Sequence, residues 1–461
     1  MSDSNAISKF MKKMKFLKDQ IRVWVKDKKE YAYKQKKTLK EKLADIDLLL
    51  DKGKGDSDVI NQRAVIFKSL QDIEKLDSKE VAQKVKIKWA IEGDENSKYY
   101  HGVLNKRRSQ LTIRGILVDG TWIDSPSLVK SEFLSHFTNR FNQPGTSRIL
   151  LNMDFPNKLN LDQQIDLESD VTRDEIKRAV WDCGIDKSPG PDGFTFGFYR
   201  RYWSFLEKDV VQAVNYFFQH GVFPKGGNSS FIALIPKTQN ANMVKDFRPI
   251  TLIGSLYKII AKILSNRLVV VLGDIVNEVQ SAFVANRQIL DGPFILNELL
   301  HWCKKKKKQT IFFKVDFEKA YDSVRWDYLD DVLKNFGFGD RWRGWIQGCL
   351  RSSRGSIIVN GSPTNEFQFH RGLKQGDPLS AFLFILVMES LHISVQRVVD
   401  AGMFKGISLG SFLYLSHVFY ADDAVFMGQW SSSNIDIIIQ VLECFYRASG
   451  LRINMTKSKL M

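Results

Sequence analysis

The stretch HVFYADDAVFMG, from His417 to Gly428, constrains the fold more than any other. One apolar run reaches two adjacent carboxylates, Asp422 and Asp423, and a second apolar run leaves them. Short apolar runs on both sides of a polar tip read as a buried hairpin. About 100 residues earlier the run TIFFKVDF carries another acid, Asp316, at its end. If the fold joins these ends, three carboxylates converge. At about 4 Å and an effective dielectric near 20, each like-charge pair costs roughly 4 kcal/mol. A hydrophobic core has no use for such a cluster, whereas a divalent-metal site requires one.

A chain of 461 residues exceeds one small core, so two or three domains are expected. The net charge of +16 points to a polyanionic partner, nucleic acid before membrane. Cys183, Cys303, Cys349 and Cys444 are far apart with no C-x-x-C pair. They suit a reduced nuclear or cytoplasmic compartment and supply no zinc site. The longest apolar runs, such as FLFILVM at 382–388, are too short for a membrane span, and no signal-peptide core is visible.

Residues 1–86 are Lys-rich with a helical stripe of Phe10, Met14, Leu17 and Ile21, continued by Leu39, Leu43, Ile46 and Leu50. Gly53 and Gly55 break it before a second helix. This region is either a helical pair with a solvated basic face or an RNA-contacting arm. Residues 87–170 mix helical and strand patterns and include an Asp119-Gly120 turn signal. A third unit, 171–461, opens with a capping-box pattern, Thr172-x-x-Glu175. The loop KSPGPDGFTFGFYRRYW, 187–203, is either a backbone-tracking loop whose aromatics stack on bases or a turn feeding a core helix. Its Gly190 and Gly193 allow close approach to a phosphate or another strand.

FIALIPK reads as a strand delivering Lys237, and DFRPITL places Arg248 just before Pro249. These two can clamp a triphosphate or be exposed surface cations. LYKIIAKILSNRL is an amphipathic helix. Thr310 to Gly337 reads as strand, turn and helix, with Asp316 at the strand end and Asp322 and Ser323 as helix caps. Tyr321, five residues past Asp316, can close one side of a nucleotide pocket. In RGLKQGDPLS, Asp377 is a candidate N-cap and Pro378 the first helical residue. Lys374, Gln375 and Gly376 then sit at a helix N-terminus suited to an anion or ribose.

The ordered set LIPK, FRPI, D-F-x-x-A-Y-D, Q-G-D-P-L-S, Y-A-D-D and G-L-x-I-N-x-x-K resembles the fingers and palm of a reverse transcriptase. The resemblance is to LINE-type non-LTR retrotransposons, especially those of plants. KSPGPDGFT, FRPITLIGSLYKIIAKILSNRL and GLKQGDPLS carry it most specifically, and KWAIEGDENSKYYH resembles the plant region ahead of the polymerase. It implies an α/β fold: right-hand fingers and palm, a small antiparallel palm sheet backed by helices, and a basic helical region before them. It implies RNA-directed DNA synthesis on an RNA template with a DNA primer, deoxynucleoside triphosphates and two Mg2+ ions, Mn2+ being an alternative. Asp316, Asp422 and Asp423 would hold the metals. Tyr321 would sense the sugar and Gln375 touch the nucleotide. Lys237 and Arg248 would hold the triphosphate, and Lys457 would serve pyrophosphate or proton donation. Against the family pattern the chain reads as truncated, without endonuclease, thumb or C-terminal domain. The alternatives are a catalytically silent RNA-binding remnant and a group II intron maturase-like protein. The sequence gives no oligomeric state.

Overall fold

The computed structural model describes residues 5–85, 112–150, 153–185, 187–238, 240–410 and 413–461. The KWAIEGDENSKYYH segment and the basic patch at 106–108 lie outside the described residues. The chain forms two compact units, Lys12–Arg114 and the remainder, Met1–Met11 with Gly115–Met461.

The smaller unit is a helical hairpin. Helix α1 (Ala6–Asp51) enters it at Lys12, and α2 (Ser57–Val85) returns after Gly53, whose φ is +68°. Asp47 pairs with Arg63 at 2.6 Å, and further from the turn Lys36 pairs with Glu74 at 3.2 Å. Partners that recede from the turn equally on both helices make the pair antiparallel. These exposed pairs set register more than stability.

The larger unit begins with the hairpin β1 (Ile116–Val118) and β2 (Thr121–Ile123). Asp119 and Gly120 both take positive φ, +47° and +82°, as the Asp-Gly signal requires. Helix α3 (Pro126–Arg140) opens with proline in its first turn. Helix α4 (Leu161–Glu168) carries a complete capping box between Asn160 and Gln163. Helix α5 (Arg173–Asp182) carries half of one: Thr172 accepts from the Glu175 N–H at 3.2 Å. The Glu175 carboxylate is taken instead by Arg267, 2.7 Å away.

Helices α6 (Phe196–Arg201) and α7 (Trp203–His220) follow the proline-glycine loop. Phe194, Phe196, Tyr199 and Trp203 are buried, so the base-stacking alternative fails for them. A Cβ on Gly190 would lie 2.3 Å from the Ile253 carbonyl oxygen, so this glycine serves contact with a strand end. Asp192 accepts from the Ser255 N–H at 2.8 Å, capping the next long helix.

Two sheets position the site. In the first, β3 (Ser229–Pro236) lies between β4 (Phe247–Ile253) and β6 (Arg354–Val359), with β7 (Ser362–Pro363) beyond. The β3–β6 pairing is parallel. Between β4 and β6 the chain passes through α8 (Ser255–Ile275), α9 (Asp291–Lys305), β5 (Thr310–Val315), α10 (Ala320–Ser323), α11 (Trp326–Asn335) and α12 (Asp340–Arg351). The short β8 (Phe367–Gln368) pairs with β6 before α13 (Ser380–Asp400). A small hairpin, β9 (Ile407–Leu409) with β10 (Leu413–Leu415), leads to β11 (His417–Tyr420), β12 (Asp423–Gln429), α14 (Ser432–Ser449) and β13 (Lys459–Leu460). The second sheet has the order β11-β12-β5-β13 and is antiparallel throughout. Helix α13 is long and apolar enough to cross a membrane, longer than its apolar run alone suggested. Its residues Leu383 to Leu391 are buried against α8, α11 and α14, so it is the core helix behind this sheet.

Glycines in α12 show how tightly the layers meet. A Cβ on Gly348 would sit 1.9 Å from the carbonyl oxygen of Gly221, the left-handed cap of α7. One turn earlier, Gly344 faces open space. Gly348→Ala is therefore expected to cost roughly 1–3 kcal/mol by overpacking, whereas Gly344→Ala should gain up to about 1 kcal/mol by helix propensity. Urea midpoints of the two variants check the contrast.

Candidate active site

Strand β5 ends at Val315, which pairs with Ala424 of β12. One step further, that register sets Asp316 opposite Asp423. Tyr420 pairs with Asp423, so Ala421 and Asp422 form a two-residue hairpin tip. The three acids thus share one rim of the antiparallel sheet. The Asp422 carboxyl is raised above the usual carboxylate range by partial burial and by repulsion from Asp423 and Asp316, while Arg248 opposes the shift. The acids are not gathered into a cage: among the described residues no group of three or more His, Cys, Asp or Glu stands ready to hold a metal. Asp423 instead pairs with Lys314 at 3.0 Å, both half exposed. The donor set, three hard carboxylates with a mutual repulsion to relieve, suits a hard divalent cation.

The last segment of the chain braces Asp316 from both sides. Its N–H donates to Ser458 Oγ at 3.1 Å, and its carbonyl accepts from the Asn454 N–H at 2.7 Å. Lys457 lies in that turn, its N–H donating to the Asn454 carbonyl at 3.1 Å. It is close enough to Lys237 to depress the proton affinity of that lysine.

The cations gather on the strand pair β3–β4. Ile235 pairs with Arg248, and Lys237 follows two residues on. Lys237 is held by its own loop, its Nζ donating to the Lys245 carbonyl at 2.7 Å. Burial, then Arg140, Lys457 and Arg248, lower its proton affinity. Lys237, Arg248 and Lys457 therefore stand within one another's field.

Tyr321 stacks on Phe384 with ring centroids 4.6 Å apart. Burial and then the nearby Asp422 push its hydroxyl up to about 12. Gln375 is tied to β4 through its carbonyl, which accepts from the Thr251 N–H at 2.8 Å. Its side chain donates to Asp322 at 3.3 Å. All eight residues singled out in the sequence thus fall on these two sheets, their connecting segments and the last turn of the chain.

Five sequence expectations need correction. Ser323 is no cap: its Oγ donates to the carbonyls of Glu318 and Lys319. Pro378 is not the first helical residue, since the helix runs Ser380–Asp400 after the cap Leu379. Asp322 is not a cap: it is buried and sits 2.8 Å from Arg140 Nε, an ion pair whose angle is not that of a hydrogen bond. Asp377 lies before the observed cap Leu379; its carboxylate accepts from the Leu379 N–H and from the Tyr257 hydroxyl. Lys374 is not poised for an anion, because it is buried, bonded to Asn228 Oδ1 at 2.6 Å and placed over the Tyr257 ring.

The sequence reading missed the support of the hairpin tip. Ala421 has a φ of +51°, a strained value for a residue with a Cβ. Its N–H donates to Oε1 of the buried Gln280 at 2.9 Å. Around this bond, the Phe419 N–H donates to the Val279 carbonyl and the Ser281 N–H to the Phe419 carbonyl. Arg287 fastens the loop by donating to the carbonyls of Val276, Asn277 and Gln280. Gln280 Nε2 is buried without a partner, so the residue's contribution lies in its oxygen. A lone glutamine in an irregular loop gives no periodic signal by which to find it.

An antiparallel hairpin with acids at its tip, a third acid on the neighbouring strand end and a cationic strand pair nearby make up the candidate site. Residues 235–461 match the reverse transcriptase (RNA-dependent DNA polymerase) family, and this segment is a reverse transcriptase domain of the non-LTR retrotransposon kind. The chain is 27% identical over 395 residues to the transposon TX1 uncharacterized 149 kDa protein of Xenopus laevis, covering 85% of this chain and 30% of that one. It is 26% identical over 291 residues to the Pol polyprotein of the type-2 retrotransposable element R2DM of Drosophila melanogaster, covering 63% and 26%. The chain thus spans under a third of the length of these two relatives. Among solved structures, a telomerase from Candida albicans matches with a TM-score of 0.38 and 13% identity, covering 51% of this chain and 41% of that one.

Two outcomes test the site. Gln280→Met keeps the shape and removes the acceptor. This leaves the N–H groups of Ala421 and Ala282 without their acceptor, at a cost of about 1–3 kcal/mol for each buried donor, so the melting temperature should fall. Asp422→Asn should raise the melting temperature at pH 7. A raised carboxyl favours the protonated folded state, so native stability declines as pH rises through its range. The gain should vanish at about pH 3, below the ordinary carboxylate range, where the carboxyl is protonated in both states. Differential scanning calorimetry at the two pH values checks it.

Proposed function

We propose that this chain is an RNA-directed DNA polymerase of a LINE-type, plant-like retroelement, which extends a DNA primer on an RNA template using deoxynucleoside triphosphates. The observation that carries this reading is the Asp422–Asp423 hairpin tip facing the Asp316 strand end within the segment that matches the reverse transcriptase family. Residues 171–461 would hold the catalytic unit, with 87–170 and the basic 1–86 ahead of it.

Asp316, Asp422 and Asp423 are the residues that would hold divalent ions, Mg2+ or Mn2+. When bound, such ions activate the primer 3′-hydroxyl and stabilise charge on the leaving pyrophosphate. Lys237 and Arg248 hold the triphosphate, the first as a point charge and the second as a planar fork. The primer 3′-oxygen forms a bond to the α-phosphorus as the bond from that phosphorus to the bridging oxygen breaks. The hydroxyl proton passes to water, and pyrophosphate leaves with the bonding pair. Lys457 supplies positive charge or a proton at that leaving group. Tyr321, held flat by Phe384, occupies the space a ribose 2′-hydroxyl would need, and Gln375 contacts the nucleotide from the β4 side.

The Asp423–Lys314 ion pair and the open arrangement of the acids favour a second reading, a catalytically silent RNA-binding remnant. Primer extension separates the two. The purified chain with Mg2+, a primed RNA template and deoxynucleotides is expected to lengthen the primer, and Asp422→Asn to abolish this. RNA binding without extension would establish the remnant. In the active enzyme, Tyr321→Ala should admit ribonucleotides more readily; unchanged sugar discrimination would remove the gate assignment.

A further inference from the structure

Residues 372–379 run from the Tyr321 side of the site to β4, held at both points by their backbone. The Leu373 N–H donates to the Tyr321 carbonyl at 2.7 Å, and the Gln375 carbonyl accepts from the Thr251 N–H at 2.8 Å. Between these two anchors stands Lys374, whose side chain is buried. Its Nζ donates to Asn228 Oδ1 at 2.6 Å and lies 4.6 Å from the centroid of the Tyr257 ring. Asn228 is buried too, just ahead of β3. Its Nδ2 donates to the Cys349 carbonyl at 2.7 Å and to Ser352 Oγ at 3.0 Å, at the end of α12. Donation to the electronegative end of a helix polarises the amide and strengthens its oxygen as an acceptor. The counter-ion is the buried Asp377, which accepts from the hydroxyl of the same Tyr257. Burial brings Lys374 down to about 8, and Asp377 opposes the shift.

A buried cation is costly to desolvate, and an apolar side chain of similar length fills such a space without that cost. What the ammonium adds is a directed bond that ties this segment to the start of β3 and the end of α12. We propose that Lys374 is a positioning residue, whose bond to Asn228 holds Tyr321 and Gln375 at the spacing a deoxynucleotide needs and so sets nucleotide affinity and sugar choice. The inference rests on the polymerase reading and deepens it. An ammonium that is buried and bonded inward does not touch a nucleotide, so it acts through its neighbours. Gln375 follows it directly, and Tyr321 is reached through the Leu373 bond. Small displacements of groups that orient a substrate are expensive, because binding then no longer selects one geometry. The carboxylates are braced elsewhere, by Gln280 and by Asn454 with Ser458, so this bond bears on the nucleotide rather than on the acids. Asn228 lies 146 residues before Lys374, and no local pattern joins them.

The test compares Lys374→Met with the unaltered full chain. Methionine fills the space and removes the directed bond, while Asp377 keeps its partners on Leu379 and Tyr257. Hydrogen exchange read by mass spectrometry should be about tenfold faster at the Thr251 and Leu373 amides, where local opening becomes easier, and unchanged at the Ala421 amide. In primer extension, KM for the deoxynucleotide should rise about tenfold while kcat stays within about threefold, as expected when binding rather than chemistry is lost. Discrimination against ribonucleotides should fall, because the Tyr321 backbone is no longer held. The double variant Lys374→Met/Asp377→Asn removes both charges together. It should give the same pattern and covers the case in which the single variant fails to fold. A lower melting temperature with unaltered exchange, KM and sugar discrimination would make Lys374 a packing residue and overturn the proposal. A loss of kcat at unchanged KM would overturn it as well. Unchanged exchange at Thr251 and Leu373 overturns it whether or not the chain extends a primer. Faster exchange in the variant, with no extension by the unaltered chain, would remove the polymerase reading and keep Lys374 as the residue that fixes this segment.

Discussion

Everything about the candidate site depends on the antiparallel pairing of β5 with β12. Six residue pairs, from Ala424–Val315 to Gln429–Thr310, fix the register. A slip of one residue would turn Phe312, Met427 and Phe426 to opposite faces and separate Asp316 from Asp423. The ladder is held by burial on both sides. Val315, Ala424, Phe426 and Met427 have almost no exposure, and Met427 packs with Phe312 against Leu299 and Cys303 of α9. Apolar packing thus forces carboxylates together at the rim, where nothing apolar can relieve them. The cost of that repulsion falls on the ladder, which is why it is long and buried.

The same logic explains the bracing around the tip. A two-residue turn carrying a strained alanine and two acids has no local reason to hold its shape. Gln280 and Arg287 supply that reason from the loop after α8, and Asn454 and Ser458 do the same for Asp316. The site is therefore rigid where its carboxylates leave the backbone.

Much of this was legible in the sequence where the signal is local. Short apolar runs marked β5, β11 and β12, and Asp119-Gly120 marked the β1–β2 turn. The spacing of Tyr328, Leu329, Val332 and Leu333, with Gly337 after them, marked α11. Local signals failed where a distant partner competes for a side chain. Glu175 has the capping-box position but goes to Arg267, 92 residues away. Asp322 reads as a cap, but Arg140, far upstream at the end of α3, draws it inward. Lys374 stands where an anion site would want it, and Asn228 with Tyr257 bury it. The parallel β3–β6 pairing and the Gln280 bond to Ala421 also join distant segments without any repeat or period to announce them.

The pairing of Asp423 with Lys314 bears on whether the open acid cluster argues against catalysis. Both side chains are about half exposed. An ion pair in that setting contributes about 0–1 kcal/mol, because water and salt screen it and two long side chains lose freedom to form it. Each repulsion among the acids, at the closer distances a shared ion would impose, is several times larger. A divalent cation that compensates those repulsions thus has far more free energy to gain than the lysine pair has to lose. Lys314 also projects from the same strand face as Asp316 and Asp423, so its ammonium offsets part of their mutual repulsion at low cost and can be displaced at low cost.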